Sequence, residues 1–165
     1  MIKLPEGVDY SHVPIEKKYK SVTVALLKRI LTIYKGIYRK FGQEGLDLIR
    51  EVSESYGREI AELGKKRVKM DDVRSVGLYL IRVFENIDCE GEITDFSDER
   101  VAIKLYRCPY PFDDPRICEA HTTMEEALVK ALGQNLEYVI TYSIPRGDAF
   151  CEHVVKRRSK KTSPQ

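Results

Sequence analysis

The sequence lacks several features that mark membrane-bound, secreted or disulfide-stabilised proteins. Its longest apolar run, Val22–Leu27, is interrupted by Thr23, and it is far shorter than the roughly 20 residues of a bilayer-spanning helix. Four cysteines are few, but a hydrophobic content of 42% in 165 residues can fill the core of one domain without disulfides. The stretch Met1–Glu6 has no apolar segment followed by a cleavage site, so we expect a cytoplasmic protein without a membrane span.

The chain also has little net charge, and that charge is unevenly placed. The net charge is +2, and five of the 28 lysines and arginines lie within residues 156–165. Without these five, acidic residues outnumber basic ones, which argues against a nucleic-acid-binding surface on the folded part. We therefore predict a single domain over residues 1–155 and a disordered basic tail over 156–165.

The first half of the chain has the apolar periodicity of helices, with steps of three and four residues. Gly42 and Gly64 are positioned to end the first two helices, and Asp71 or Asp72 can cap the third. The third helix has apolar residues around most of its circumference, so it should be the most buried. The predicted helices cover residues 14–41, 43–64 and 73–86.

In the second half, the apolar period changes to two, which is typical of strands. The predicted strands cover residues 88–96, 100–106, 136–144 and 149–156. Between the two hairpins lies a fourth helix, Pro115–Leu132, with Asp114 as its N-cap and Gly133 at its end. Three helices followed by two hairpins around one helix predict an α+β fold with an antiparallel four-stranded sheet.

The residues that could carry chemistry are concentrated in this second half, which holds all four cysteines and two of the three histidines. Cys118 and His121 are three residues apart on a helix, so their side chains can reach one ion. Cys108 precedes that helix and Cys151 opens the last strand. These four residues form a candidate metal site. Zinc suits such ligands best, and an iron–sulfur cluster is the alternative.

Structural interpretations of the same residues stay open. His121 continues the apolar stripe of its helix and could be a core histidine, and cysteines are often small buried hydrophobic residues. His153 alternates onto the same strand face as Cys151 and competes with His121 as the fourth ligand. Cys89 is expected to pack in its strand. Cys118 lies near a helix N-terminus, where the macrodipole should lower its pKa and favour the thiolate.

Four short motifs point to a known family. They are Phe41–Gly45 entering a helix, Cys108–Pro109 before a loop, Cys118 with His121, and Gly147–Glu152 on the last hairpin. Together they resemble the L-2-amino-thiazoline-4-carboxylic acid hydrolase family and, more remotely, the 4-vinyl reductase domains, over most of residues 20–156. The resemblance implies a ligand-binding α+β fold that certain gas-sensing and vesicle-tethering proteins share. It also implies a metal held by the cysteines at positions 108, 118 and 151.

The chain departs from that family's pattern at its histidines. His153 stands where the pattern has an aromatic residue, and His121 adds a second candidate nitrogen ligand. Whether His121 or His153 is the fourth ligand therefore stays open. The hydrolase activity follows from analogy with the family and not from a recognised site.

Two functional hypotheses follow from these observations. In the first, the protein is a metal-dependent hydrolase of a small cyclic amide or thiazoline compound. The ion would lower the pKa of a bound water, Asp148 or Glu119 would relay protons, and Tyr106, Tyr110 and Tyr142 would line the substrate pocket. This mechanism requires an open coordination position, because an ion bound by four protein ligands is saturated.

In the second hypothesis, the protein is a sensing domain without catalytic activity. It would bind a small ligand, a metal or a redox signal and report the binding through a helical surface of a homodimer. The long first helix, with Tyr19, Tyr34 and Tyr38, is the candidate for that surface. Ordinary core packing of the same residues is the alternative.

Overall fold

The structure, a computed structural model that describes residues 13–66 and 72–158, contains four helices and four strands. In chain order the elements are α1 (Ile15–Phe41), α2 (Gln43–Lys65), α3 (Val73–Glu85), β1 (Glu90–Phe96), β2 (Arg100–Arg107), α4 (Pro115–Leu132), β3 (Leu136–Tyr142) and β4 (Cys151–Arg157), with a 3-10 turn at Ile144–Arg146. The predicted α+β class is confirmed. None of the described helices is long and apolar enough to cross a membrane.

The predicted helix boundaries have local causes. Gly42 joins α1 to α2 with a φ of 57°, in the left-handed region that glycine enters at little cost. The Asp72 side chain accepts a hydrogen bond from the Ser75 backbone N–H at 2.8 Å and so caps α3. Asp71, the other predicted cap, lies outside the described residues. Asp114 caps α4 in the same way, through the backbone N–H two residues later at 2.9 Å.

The sheet is antiparallel throughout, with strand order β1-β2-β4-β3. The two hairpins therefore lie side by side, with β2 and β4 in the centre. In the register of this central pair, Ile103 lies opposite His153 and Leu105 lies opposite Cys151. As a result, the end of β2, which leads to Cys108, lies beside the start of β4.

Helix α4 lies between the sheet and the first two helices. Its Leu128 and Leu132 belong to one hydrophobic cluster with α3 and the strands, whereas Ile117 and Ala120 belong to another with residues of α1 and α2. Eight residues of α4 are buried, compared with five of α3. The prediction that the third helix is the most buried is therefore wrong, because α4 packs against the sheet on one side and against α1 and α2 on the other.

Five predicted strand limits differ from the structure by one or two residues; β2 extends to Arg107 and β3 ends at Tyr142, where residues 106 and 144 were predicted. The first strand begins at Glu90, after Asp88 adopts a φ of 64°, which ends extended backbone. The last strand begins at Cys151 instead of residue 149. It continues through Lys156 and Arg157, which pair with β3 and do not belong to a tail. Residues 159–165 of the predicted tail lie outside the described residues.

Candidate functional site

A cavity of about 260 Å³, partly open to solvent, lies at one end of the sheet. Its walls come from the ends of α3 and β2, the segment before α4, one face of α4, the turn after β3 and the start of β4. A cavity of about 150 Å³ is large enough to bind benzene. This cavity can therefore enclose a molecule of one or two rings.

All four predicted metal ligands line this one cavity. Cys108, Cys118, His121 and Cys151 contribute to its walls, together with Cys89. However, no three His, Cys, Asp or Glu side chains within residues 13–66 and 72–158 form a group that could hold a metal ion. The zinc site and the alternative iron–sulfur cluster stay predictions.

His121 projects from α4 into an aromatic environment. The ring centroids of Tyr110, Phe112 and Tyr34 lie 4.4, 5.2 and 5.8 Å from that of His121. The side chain is buried, and neither ring nitrogen has a hydrogen-bond partner among the described residues. Burial lowers the pKa of His121 to about 4, because a desolvated imidazolium is unfavourable. The imidazole is therefore neutral at pH 7.

Glu125 is a site residue that the sequence analysis missed. It lies one helical turn beyond His121, lines the cavity and is buried, and its Oε2 has no partner among the described residues. Burial raises the pKa of this carboxyl to about 8. A signal was present in the sequence, because positions 117, 121, 125, 128 and 132 form one stripe on the helix, and a glutamate on an otherwise buried stripe is unusual.

His153, the other candidate fourth ligand, has a different environment. It projects from β4, lines the cavity and packs against Phe84, with 4.7 Å between the ring centroids. Its Nδ1 forms a hydrogen bond with the Tyr138 hydroxyl, and burial lowers its pKa to about 4. One nitrogen of His153 is thus satisfied by the fold, whereas both nitrogens of His121 are available.

The thiols of the cavity differ in acidity. A hydrogen bond from the Cys89 thiol lowers the pKa of Cys108, and donating that bond raises the pKa of Cys89. Burial raises the pKa of Cys118 to about 12. The predicted Cys118 thiolate is therefore wrong, since desolvation outweighs the helix macrodipole at this position. Burial also raises the pKa of Cys151, whose sulfur accepts from the Ile144 N–H at 3.3 Å.

Neither carboxylate that was predicted to relay protons lines the cavity. Asp148 is exposed, and its Oδ2 accepts a hydrogen bond from the Ser143 backbone N–H at 2.7 Å, which closes the turn before β4. Glu119 lies on the exposed side of α4 and forms an ion pair with Arg146 at 2.7 Å. Their catalytic roles stay predictions.

The three tyrosines that were predicted to bind substrate occupy different positions. Tyr110 lines the cavity and stacks on Phe112, with centroids 5.3 Å apart and planes at 9°. Tyr106 lies at the rim, where it is half-exposed and donates a hydrogen bond to Glu92. Tyr142 lies outside the cavity wall and packs against Phe150 instead.

Comparison with known proteins adds one structural relationship. No family model matches the chain, and no curated protein matches it. A solved structure with a similar fold is the phenol-responsive sensory domain of the transcription activator PoxR with phenol. It has a TM-score of 0.54 and 14% sequence identity, and the alignment covers 82% of this chain and 74% of that chain. The similarity shows that the two chains share a fold, which agrees at the level of fold with the remoter resemblance, and it gives no support to membership of the thiazoline hydrolase family.

Proposed function

We propose that this chain is a sensory domain that binds a small, mostly apolar molecule inside its cavity and does not convert it. One observation carries the proposal: the cavity is lined mainly with aromatic and aliphatic side chains, and the buried polar residues His121 and Glu125 also contribute to its wall. Pockets for small molecules combine an apolar wall with a few polar groups in this way. The fold shared with a phenol-responsive sensory domain supports this proposal.

The alternative hypothesis of a metal-dependent hydrolase has weaker support. Both of its proposed proton relays, Asp148 and Glu119, lie outside the cavity wall and are held by other contacts. The cavity carboxyl, Glu125, is mostly protonated at pH 7 because burial raises its pKa to about 8.

Phenol is the first probe for the proposed function. We expect isothermal titration calorimetry to detect phenol binding to the purified chain. Cys118→Phe, which places a large ring at the cavity wall, should abolish that binding. Glu126→Phe puts the same ring on the exposed side of α4 and should bind phenol as the original chain does. Equal binding by both variants would show that phenol binds elsewhere.

A bound zinc ion is a separate proposal that elemental analysis tests. The four sulfur and nitrogen donors at the cavity wall support it, although no three of the described His, Cys, Asp or Glu side chains form a group that could hold a metal ion. We expect one zinc per purified chain and a loss of zinc in Cys118→Ala. A brown protein containing iron would favour the cluster, and full zinc in the variant would contradict the ligand set.

We further propose that the domain is a cytoplasmic homodimer. Apolar side chains of α1 recur at steps of three and four and are at least half-exposed, namely Ile15, Tyr19, Val22 and Leu26. A second copy of the chain could cover this stripe. Tyr34 and Tyr38, which were predicted for the same surface, pack partly buried toward α2 and α4 instead. Light scattering after size-exclusion chromatography measures the oligomeric state.

A further inference from the structure

Two of the four cysteines lie opposite each other at the open end of the first hairpin. Cys89 directly precedes β1, and Cys108 directly follows β2. The last pair of the β1–β2 ladder joins Glu90 to Arg107, so the next position in the same register sets Cys89 opposite Cys108. Their two thiols are in contact through a hydrogen bond. The hairpin therefore holds two sulfur atoms side by side.

The backbone spacing at this position suits a covalent bond between the two sulfur atoms. Residues directly opposite each other in an antiparallel ladder have Cα atoms about 4.5–5.5 Å apart. A disulfide needs Cα atoms about 4.4–6.8 Å apart. Bonding between Cys89 and Cys108 therefore requires no large movement of the strand ends.

The other donors of the cavity wall do not join this pair in a larger cluster. No three His, Cys, Asp or Glu side chains within residues 13–66 and 72–158 form a group that could hold a metal ion. Cys118 lies on α4, and the Cys151 sulfur accepts a hydrogen bond from the Ile144 N–H at 3.3 Å. A zinc site takes three or four protein ligands, whereas a disulfide needs two sulfur atoms. Cys89 and Cys108 meet the second requirement by themselves.

Both cysteines of the pair are accessible to a small reagent. Cys89 and Cys108 are half-buried, whereas Cys151 is buried. Both line the cavity, which is partly open to solvent. Cys108 also lines a groove of about 650 Å³ between the first half of α1 and the ends of the first hairpin. A reagent in solution thus has two approaches to the Cys108 sulfur.

We infer that Cys89 and Cys108 form a thiol–disulfide switch, which a low-molecular-weight disulfide oxidises and a low-molecular-weight thiol reduces. In the first step, the sulfur of one cysteine attacks the oxidant, forms a mixed disulfide and releases one small thiol. The second cysteine then attacks the protein sulfur of that mixed disulfide and releases the other small thiol. The chain loses two electrons and two protons, and the oxidant gains them.

Oxidation would change the cavity wall in two ways, which goes beyond the proposed binding of a small molecule. The new bond would tie the start of β1 to the end of β2 at the wall. It would also take Cys108 out of the donor set proposed for zinc, because the thiolate is the form that binds metals. The disulfide and a zinc ion would therefore exclude each other at Cys108.

Peptide mapping of the oxidised chain tests the pair. The full chain is reduced, transferred to a buffer that contains a chelator, and incubated with mixtures of oxidised and reduced glutathione. Free thiols are then blocked with a maleimide, and unreduced peptides are identified by mass spectrometry. We expect a peptide pair joined through Cys89 and Cys108, a chain lighter by two hydrogen atoms, and recovery of both thiols after dithiothreitol. A chain that stays reduced, or carries glutathione without the internal bond, would overturn the inference.

The unfolded chain is the control for proximity along the sequence. Cys108 is nearer in sequence to Cys118 than to Cys89, and the entropic cost of closing a loop rises with its length. Oxidation in urea should therefore favour the bond between Cys108 and Cys118 over that between Cys108 and Cys89. Oxidation of the folded chain should reverse this ratio. The same product ratio with and without urea would contradict a pair that is positioned by the fold.

Serine substitutions identify the two partners by what remains on each. Cys89→Ser should lose the internal disulfide and keep glutathione on Cys108, because the second thiol of the exchange is missing. Cys108→Ser should keep glutathione on Cys89 for the same reason. An internal disulfide that persists in Cys89→Ser would assign the bond to a different pair and overturn the inference. Mapping of the original chain tests the pair independently of the folding of either variant.

Discussion

The four cysteines share one cavity, but each has different neighbours and therefore a different acidity. Cys108 accepts a hydrogen bond from Cys89, which favours its thiolate, whereas Cys118 and Cys151 are disfavoured as thiolates by burial. The thiolate is the reactive form of cysteine. Sequence position alone favoured Cys118 as the reactive thiol, and the surroundings of each side chain reverse that order.

Alkylation kinetics provide a prediction at this scale. With iodoacetamide at pH 8, Cys108 should be labelled first and Cys118, whose pKa is raised to about 12, should be labelled slowly. Peptide mass spectrometry of timed samples measures the order. Cys89→Ala removes the donor to Cys108 and should slow the labelling of Cys108. Faster labelling of Cys118 than of Cys108 would contradict the prediction.

Among the secondary-structure elements, α2 and α4 pack very closely at one position. Gly57 of α2 lies against the backbone of α4, so closely that a Cβ there would stand 2.2 Å from the Met124 carbonyl oxygen and 3.1 Å from the Ala127 Cβ. The adjacent turn of α4 carries His121 and Glu125. The absence of a side chain at position 57 thus allows the helix that carries the site to lie close to α2.

Gly57→Ala should therefore destabilise the protein by about 1–3 kcal/mol, because the added methyl group forces α2 and α4 apart. Urea unfolding followed by circular dichroism measures the change. Gly36→Ala in α1 is the matched control, since no atom outside the adjoining backbone of α1 lies within 4 Å of its added methyl group. That substitution should stabilise the protein by roughly 0.5–1 kcal/mol through helix propensity. Equal stability changes in the two variants would contradict the packing argument.

For the molecule as a whole, one buried acid and two buried histidines make the free energy of unfolding depend on pH. The acid lowers it as the pH rises, and the histidines lower it as the pH falls. The pKa of Glu125 is about 8 in the folded protein and normally 4.5, so its stabilising contribution is complete below pH 4.5 and is lost as the pH rises toward 8. The pKa values of His121 and His153 are about 4 and normally 6.5. Their contribution is complete above pH 6.5 and is lost as the pH falls toward 4.

Between pH 4.5 and 6.5 the two histidines outweigh the single glutamate, so we expect the free energy of unfolding to be largest near pH 6.5. Above that pH, Glu125 alone should lower it by roughly 1.4 kcal/mol per pH unit. Urea unfolding at pH 5, 6.5 and 8 measures both sides of the maximum. Glu125→Gln should remove most of the alkaline decrease and leave the acidic side unchanged. If the free energy of unfolding of Glu125→Gln fell equally above pH 6.5, the alkaline decrease would come from other groups.

The elements and their order were determined by the sequence itself. These signals act within a few residues, so they can be recognised without coordinates. They are the apolar periods of 3.6 and 2, Gly42 between two helices, and Asp114 with Pro115 at the start of α4. They also predicted which strands form hairpins. That Cys108, Cys118, His121 and Cys151 line the same cavity is compatible with the expected packing of a helix on a sheet, but no three of the described side chains form a group that could hold a metal ion.

What only the tertiary structure decided is the environment in which those side chains lie. The pairing of β2 with β4 places Leu105 opposite Cys151, and α4 brings Glu125 into the cavity while Tyr142 remains outside it. Whether a group is desolvated depends on atoms from segments far apart in the chain, and desolvation sets its pKa and its free hydrogen-bonding capacity. Local patterns contain no information about such neighbours. For this reason the sequence analysis proposed Glu119 and Asp148 as the acids of the site, whereas in the structure Glu125 lines the cavity.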